Sequence, residues 1–281
     1  MFSDNIDVKR IQISTLEMLK ELDEICNKNN LTYYLCGGTL IGAVRHKGFI
    51  PWDDDVDVMM PRKDYEKLRD IAASSFSPRF KLAYYKEIYK NNKPLKHHIQ
   101  ILDLETPIIR NWAEKEVEVY SWIDVFPLDG MPNNKLLQNL HYYHLMFWHV
   151  IMQISWFDQI VNLYKPNRPL HERIIIKFVK LTHFGKNWNT IKIIDKIEYL
   201  CKKYNFDYGD TIISFYGGYR KKEILKKEWF KNSIRVPFEN SSFNIPEKYN
   251  EELKHYYGDY MIPPTSKEDK EEHHKIKIND N

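Results

Sequence analysis

Apolar residues recur every three or four positions between residues 8 and 28. Val8, Ile11, Leu19, Leu22 and Ile25 share one face, with Leu16 beside them, so this stretch predicts an amphipathic helix. The pattern then changes. "LTYYLC" (31–36) is short, β-branched and aromatic, and it stops at Gly37-Gly38 as a strand does. "TLIGAVRH" (39–46) reads as a short helix and "VDVMM" (56–60) as a second strand ended by Pro61. "PRKDYEKLRDIAASSF" (61–76) is a helix with a proline near its start, where the missing N–H has no intrahelical partner to lose. Two further strands are expected in "HIQILDLET" (98–106) and "YSWIDVFPLDG" (120–130). Two to three helices follow between 134 and 205, and after "YGGYR" (216–220) the chain turns basic and loop-rich. This order predicts an α+β fold with a mostly helical additional segment.

Composition narrows the class. The 281 residues are 43% apolar, enough for a packed core and unlike a disordered chain. A net charge of +3 makes no case for a nucleic-acid partner. Cys26, Cys36 and Cys201 lie far apart with no CxxC pair, which argues against a disulfide framework or zinc knuckle and fits a reducing compartment. The first ten residues lack a basic region followed by an apolar run, so no signal peptide is expected and the expected location is cytoplasmic. The most apolar window, 142–164, contains His144, His149, Gln153 and Asp158, too polar for a membrane span. Residues 165–203 hold ten Lys/Arg against three Asp/Glu, interleaved with Ile174, Ile175, Phe178 and Ile191, Ile194, Ile197. Such a stretch is either a peripheral membrane contact or a helix with a solvated basic face.

The unusual chemistry sits in "WDDDVDV", which packs four aspartates into residues 53–57. In an extended chain side chains alternate. If extension begins by Asp53, then Asp53, Asp55 and Asp57 share a face, Asp54 points away, and Val56 and Val58 face the core. Carboxylates at i and i+2 repel unless a cation lies between them. Their oxygens suit Mg²⁺, or Mn²⁺ in its place, held together with substrate phosphates. A solvated acidic turn is the plain alternative, but it has no use for the valines between its charges. Upstream, Gly37 and Gly38 precede a helix expected to begin near Thr39. Free backbone N–H groups there, with no Cβ in the way, can hold a phosphate. Together the two features point to displacement at a nucleotide phosphorus.

Strand, Gly-Gly, helix and strand in this order resemble the nucleotidyltransferase core. More narrowly, "YYLCGGTLIGAVRHKGFIPWDDDVDVMMPRKDYEKL" (33–68), "WIDVFPLDGMP" (122–132) and "IPEKYNEELKHYYGDYMIPP" (245–264) resemble the LicD family of phosphotransferases, which includes the fukutin-related proteins. The resemblance implies a nucleotidyltransferase-like mixed sheet core with flanking helices over residues 1–133. A helical segment would follow over 134–210, and C-terminal loops and a helix over 211–281 would pack back on the active site. It also implies transfer of phosphocholine or a related phospho-alcohol from a CDP-alcohol donor to a glycan acceptor, which can be lipid-linked. The metal ligands are then Asp55, Asp57 and a third carboxylate. Asp124 is preferred over Asp103 because "IDVFPLDG" carries the resemblance; Asp129 reads as a turn residue. Gly37, Gly38, Thr39, Arg45 and Asp53 are the substrate-binding candidates, Arg45 pairing with either a phosphate or a nearby aspartate. The resemblance also makes the tail histidines His273-His274 a candidate substrate contact.

His97-His98 and His273-His274 lack the spacing of a zinc pair. Trp52, Trp122, Tyr216 and Tyr219 adjoin the motifs and are candidates for a choline cage or for plain packing. Two other functions stay open. One is a GT-A-like glycosyltransferase, which also uses DxD and a metal, although the Gly-Gly turn argues for the nucleotidyltransferase core. The other is an inactive glycan- or lipid-binding adaptor.

Overall fold

The computed structural model describes residues 6–86, 96–112, 115–157, 169–263 and 276–278. Helix α1 (Ile6–Asn29) leads to β1 (Tyr34–Leu35) and α2 (Gly37–Ile41), which runs on as one π-helical turn (Gly42–His46). Then come β2 (Val56–Pro61), α3 (Arg62–Ser75), β3 (Phe80–Ala83), β4 (Ile99–Trp112) and β5 (Lys115–Met131). Helices α4 (Lys135–Ser155), α5 (Leu170–Thr182) and α6 (Thr190–Cys201) follow. The chain returns through β6 (Thr211–Ile213), β7 (Ile224–Lys226), the hairpin β8 (Ser233–Phe238) and β9 (Ser241–Pro246), α7 (Tyr249–Tyr257) and β10 (Ile276–Ile278). This is the expected α+β class with a mixed sheet and flanking helices.

The main sheet has the order β1-β2-β5-β4-β10, with β3 also on β4 and β6-β7 continuing from β5. Among the described residues only β2 and β5 run parallel within it; the other pairs are antiparallel. The period-2 pattern of "VDVMM" explains the central strand. Val56, Val58 and Met60 are buried in the main core with Ile123 and Val125 of β5 and Met18, Leu19 and Leu22 of α1. Asp57 and Met59 take the other face. Burying a Val or Leu side chain contributes about 1.5–3 kcal/mol, so these alternating runs set the register. A second cluster joins α4 and α6 through Tyr142, Leu145, Ile194 and Ile197 to Met131 and Ile213.

Several expectations need adjusting. The run 31–36 yields a ladder of only two residues, because β1 pairs with β2 alone and the chain turns at Gly37. Helix α2 starts at Gly37 rather than Thr39. The region after 216 is richer in strands than expected: Phe238, Phe243 and Ile245 of the β8-β9 hairpin enter the main core. Asp129 is no turn residue. It lies within β5 opposite Ile213, buried, its carboxylate held by both Nε and Nη2 of Arg62 at 2.7 Å. Ile194 and Ile197 are wholly buried, while Ile174, Ile175 and Phe178 are exposed. Thus the apolar residues of 165–203 divide between core and surface. Among the described residues no helix is long and apolar enough to cross a membrane. His273 and His274 lie outside the described residues.

Candidate functional site

The parallel pairing of β2 and β5 puts Asp57 directly opposite Asp124. On the far side of β5, antiparallel β4 sets Gln100 opposite Asp124. The two acids lie far apart along the chain, and sheet register alone brings them together. The chain before β2 adds the rest. The ladder begins at Val56, so the strict alternation expected from Asp53 does not apply to residues 53–55. Instead one carboxylate oxygen each from Asp53, Asp54 and Asp55 lie within 4.8 Å of one another. Asp53 and Asp54 are buried and Asp55 half-buried. Among the described residues Asp53, Asp54 and Asp55 thus gather as one acidic group, with the Asp57-Asp124 pair on the strands that follow.

The Gly-Gly turn lies against these acids. A Cβ on Gly37 would stand 3.2 Å from Asp57 Oδ2, and one on Gly38 would stand 2.8 Å from Asp53 Oδ2. Gly37 also has φ +58°, a conformation costly for other residues. Gly37→Ala is accordingly expected to destabilise the fold by about 1–2 kcal/mol. An unchanged urea midpoint would show that the turn relaxes freely. Cys36 precedes α2 in extended conformation and offers its first N–H groups no side-chain acceptor. The Thr39 hydroxyl oxygen accepts the Asp57 N–H at 2.9 Å, and the Cys36 N–H bonds to Asp57 O at 3.1 Å. Thr39 thus fixes the backbone from which Asp57 projects.

Four side chains surround the Asp124 carboxylate. Its Oδ1 accepts from Gln100 Nε2 at 2.7 Å and meets His98 Nε2 at 2.8 Å; its Oδ2 accepts from Trp122 Nε1 at 3.0 Å, with Lys96 Nζ at 3.9 Å. Burial alone would raise its pKa, but Lys96, His98 and Gln100 hold it well below the usual carboxylate range. Asp57 behaves oppositely: burial first, then Asp55, Asp124 and Asp53, push its carboxyl well up. Asp53 is likewise pushed up by burial, Asp55 and Asp54. Hard oxygen donors under mutual repulsion fit a divalent cation, and Asp124 Oδ2 keeps lone-pair capacity toward it. Asp103 is differently engaged. Its carboxylate takes Arg79 at 2.9 and 2.6 Å, Ser14 at 2.7 Å, Thr106 at 2.8 Å and the Glu105 N–H at 3.0 Å, beside the irregularity where β4 departs from β5.

The C-terminal region closes one side. Arg45 Nη1 donates to Tyr260 O at 2.6 Å, so Arg45 bonds a backbone carbonyl rather than one of the aspartates. The Tyr257 hydroxyl would be 3.9 Å from a Cβ on Gly37. Tyr219, 45% exposed, has its ring 5.1 Å from that of Tyr256 and 5.6 Å from that of Tyr257. Under them lies buried Glu223, which accepts the Tyr219 N–H at 2.9 Å and the Tyr256 hydroxyl at 2.8 Å. Of the other aromatic candidates, Trp122 is buried on Asp124, Tyr216 is buried with its hydroxyl on Glu198, and Trp52 packs on the main core.

Glu252 on α7 is fully buried and neither carboxyl oxygen has a hydrogen-bond partner. Burial, then Glu223, pushes it up to about 8 from an ordinary 4.5. A folded pKa above the unfolded one means that stability is lost as pH rises from about 4.5 to about 8. Glu252→Gln should therefore narrow the fall in Tm between pH 5 and pH 8. An unaltered fall would place the loss at other groups.

The comparisons with known proteins bear on this arrangement. A family profile described as LicD/FKTN/FKRP, nucleotidyltransferase domain, matches residues 30–143. Over 272 residues, 96% of each chain, the sequence is 31% identical to the lipopolysaccharide cholinephosphotransferase LicD of Haemophilus influenzae. The chain belongs to the LicD family. An uncharacterized Rickettsia typhi protein is 38% identical over 126 residues, 44% of this chain and 37% of that one. An uncharacterized Rickettsia prowazekii protein is 42% identical over 59 residues, 21% of this chain and 22% of that one.

The LicD match at 30–143 spans the Gly-Gly turn, the aspartates, β4 and β5. It leaves out Tyr219, Glu223 and Tyr257, which the fold brings alongside. Sequence reasoning missed Lys96, His98 and Gln100 as partners of Asp124. A signal existed: once β4 is antiparallel to β5, His98 and Gln100 alternate on one face of the strand start. Only the pairing itself reveals that this face meets Asp124.

Proposed function

We propose that this LicD-family chain is a metal-dependent phosphotransferase that moves phosphocholine from CDP-choline to a hydroxyl of a glycan and releases CMP. The observation that carries the reading is Asp57 in register with Asp124 beneath the Gly37-Gly38 turn. It occurs in a chain similar along its length to a protein named as a lipopolysaccharide cholinephosphotransferase. Asp55 and Asp57, with Asp124 as third ligand, would hold Mg²⁺ or Mn²⁺, which when bound neutralises donor phosphate charge and charge on the leaving group. Asp53 and Asp54, gathered beside Asp55, complete the negative surround.

The chain's own groups do the positioning. The N–H groups at the start of α2 face the phosphates, and Gly37 and Gly38 admit them close to the backbone. Arg45 ties the "YGDYM" segment to the π-helical turn and keeps that wall in place. The acceptor oxygen bonds to the phosphorus carrying the alcohol, the bond from that phosphorus to the CMP oxygen breaks, and the acceptor proton leaves to the carboxylate cluster. Asp124, held low by Lys96, His98 and Gln100, is a weak proton acceptor and suits a ligand role better than a base.

Choline is favoured by Tyr219. A trimethylammonium group has no N–H to donate, so aromatic faces over buried negative charge recognise it. Tyr219, Tyr256 and Tyr257 above Glu223 supply both next to Gly37. Tyr219→Ala should raise KM for CDP-choline about 2- to 30-fold, the range of one cation–π contact. KM for CDP-glycerol should change little; an equal rise for both donors would remove Tyr219 from headgroup recognition.

The reaction is placed at the cytoplasmic side, on a glycan acceptor that can be lipid-linked. The direct test incubates the protein with Mg²⁺, CDP-choline and a lipopolysaccharide-derived acceptor and follows CMP and phosphocholine-glycan together. Sugar transfer from a UDP-sugar, with no product from any CDP-alcohol, would replace this reading with the glycosyltransferase. Binding of glycan without turnover of any donor would replace it with the adaptor.

A further inference from the structure

Helices α4 and α5 carry apolar stripes that the core does not use. On α4, Leu136, Leu140, Tyr143, Phe147 and Val150 are exposed at four- and three-residue spacing. The opposite side of α4 is already buried through Tyr142, Leu145 and Met152. On α5, Leu170, Ile174, Phe178 and Leu181 repeat the same spacing and are exposed. Phe184 and Trp188 extend that stripe, both partly exposed with ring centroids 4.9 Å apart. Soluble proteins scatter single exposed apolar residues; a run this long is a contact surface.

The stripes are joined at both ends. At one end Lys221 lies 5.5 Å from the Tyr143 ring of α4, while its neighbour Arg220 bonds Glu172 of α5 at 3.3 Å. At the other end a cavity of about 220 Å³ opens between Ile154 and Trp156 on one side and Phe184 and Trp188 on the other, with Lys186 and His183 at its wall. These contacts hold α4 and α5 beside one another, each with its apolar stripe exposed.

Its charge says what covers it. No Asp or Glu occurs from 131 to 157, and Glu172, the one acid of α5, is engaged by Arg220. Lys135 opens α4, Arg173, Lys177 and Lys180 lie on α5, and Lys186 and Lys221 lie in segments that adjoin them. A second copy of the chain would bring lysines against lysines. An anionic bilayer surface instead takes aliphatic and aromatic side chains at its headgroup boundary and pairs with the lysines around them.

We propose that the α4-α5 face docks the protein on an anionic lipid surface. The surface differs from the basic stretch 165–203 seen in the sequence: α4 joins it, while Ile194 and Ile197 of α6 are spent in the core. Docking rests on the proposed reaction only in purpose, since a lipid-borne acceptor would be met there; the face itself requires no donor chemistry.

The test is flotation of the full chain with vesicles of equal parts phosphatidylglycerol and phosphatidylcholine, against vesicles of phosphatidylcholine alone. Wild-type protein should float with the anionic vesicles, and less so as salt rises. Phe147→Glu/Phe178→Glu should weaken flotation at least about tenfold, as should Lys177→Glu/Lys180→Glu, since each surface lysine contributes roughly fivefold. All are surface positions, and unchanged melting curves check that the variants fold. Turnover of CDP-choline with a soluble glycan should be the same in all of them, which separates failure of docking from failure of the proposed reaction. Wild-type protein left at the bottom of the gradient would overturn the proposal, as would variants that float equally well. A vesicle-free dimer broken by Phe147→Glu/Phe178→Glu would reassign the face to self-association.

Discussion

Replacing Asp57 with Asn is expected to lower phosphocholine transfer by about 10³-fold or more while leaving the fold intact. The size follows from the several kcal/mol that a bound cation contributes to phosphoryl transfer, at 1.36 kcal/mol per factor of ten. The intact fold follows from what Asp57 does without a cation. Its carboxyl is buried and pushed up, first by burial and then by Asp55, Asp124 and Asp53, so in the folded chain it opposes its neighbours. The backbone bonds to Thr39 and Cys36 do not involve the carboxyl and survive the change. In cation-free buffer the Asp57 carboxyl binds its proton more tightly in the folded chain than in the unfolded one, so its contribution to stability falls as pH rises past the ordinary value of about 3.8. The variant lacks this contribution and should melt at or above the wild-type temperature at neutral pH. Calorimetry should also show that Mg²⁺ no longer strengthens CDP-choline binding. Wild-type turnover by Asp57→Asn would remove the metal assignment.

The parts of this site that lie close together along the chain are legible in the amino-acid sequence itself. The Gly-Gly turn, the aspartates and the strand alternation of Val56 and Val58 are local patterns, and local backbone geometry imposes them. What required the fold was pairing. Asp124 and Asp103 look alike in sequence, each an acid between apolar residues. Register separates them: Asp124 faces Asp57 across a parallel pair, whereas Asp103 pairs with Ser121 and is consumed by Arg79. Asp129 misled for a related reason. A "PLDG" string ordinarily marks a turn, but β6 pairs with β5 there and keeps the strand straight through it. The strand content after residue 216 was hidden because its strands are short and set among lysine-rich segments; the β8-β9 hairpin itself carries no lysine and is anchored by Phe238, Phe243 and Ile245. Alternation also failed where the ladder had not begun, which is why Asp54 gathers with Asp53 and Asp55.

Arg62→Leu is expected to cost about 3–5 kcal/mol of stability, because it strands two carboxylates inside the protein. Arg62 opens α3, and its guanidinium is buried between Asp129 of β5, at 2.7 Å from both oxygens, and Glu198 of α6, at 2.9 Å. Glu198 also accepts the Tyr216 hydroxyl. One side chain therefore joins the main sheet to the helical segment. Burial alone would lower the Arg62 pKa, but Asp129 and Glu198 hold it above its ordinary value. Against a total stability of about 5–15 kcal/mol, the loss is a large fraction of what keeps the chain folded. Urea melts of wild type and variant check this at pH 7. The combined variant Arg62→Leu/Asp129→Leu/Glu198→Gln should recover much of the loss, because the burden lies in the uncompensated charges and not in the absence of the ion pairs themselves. A single variant that melts with the wild type would show that water already reaches this network.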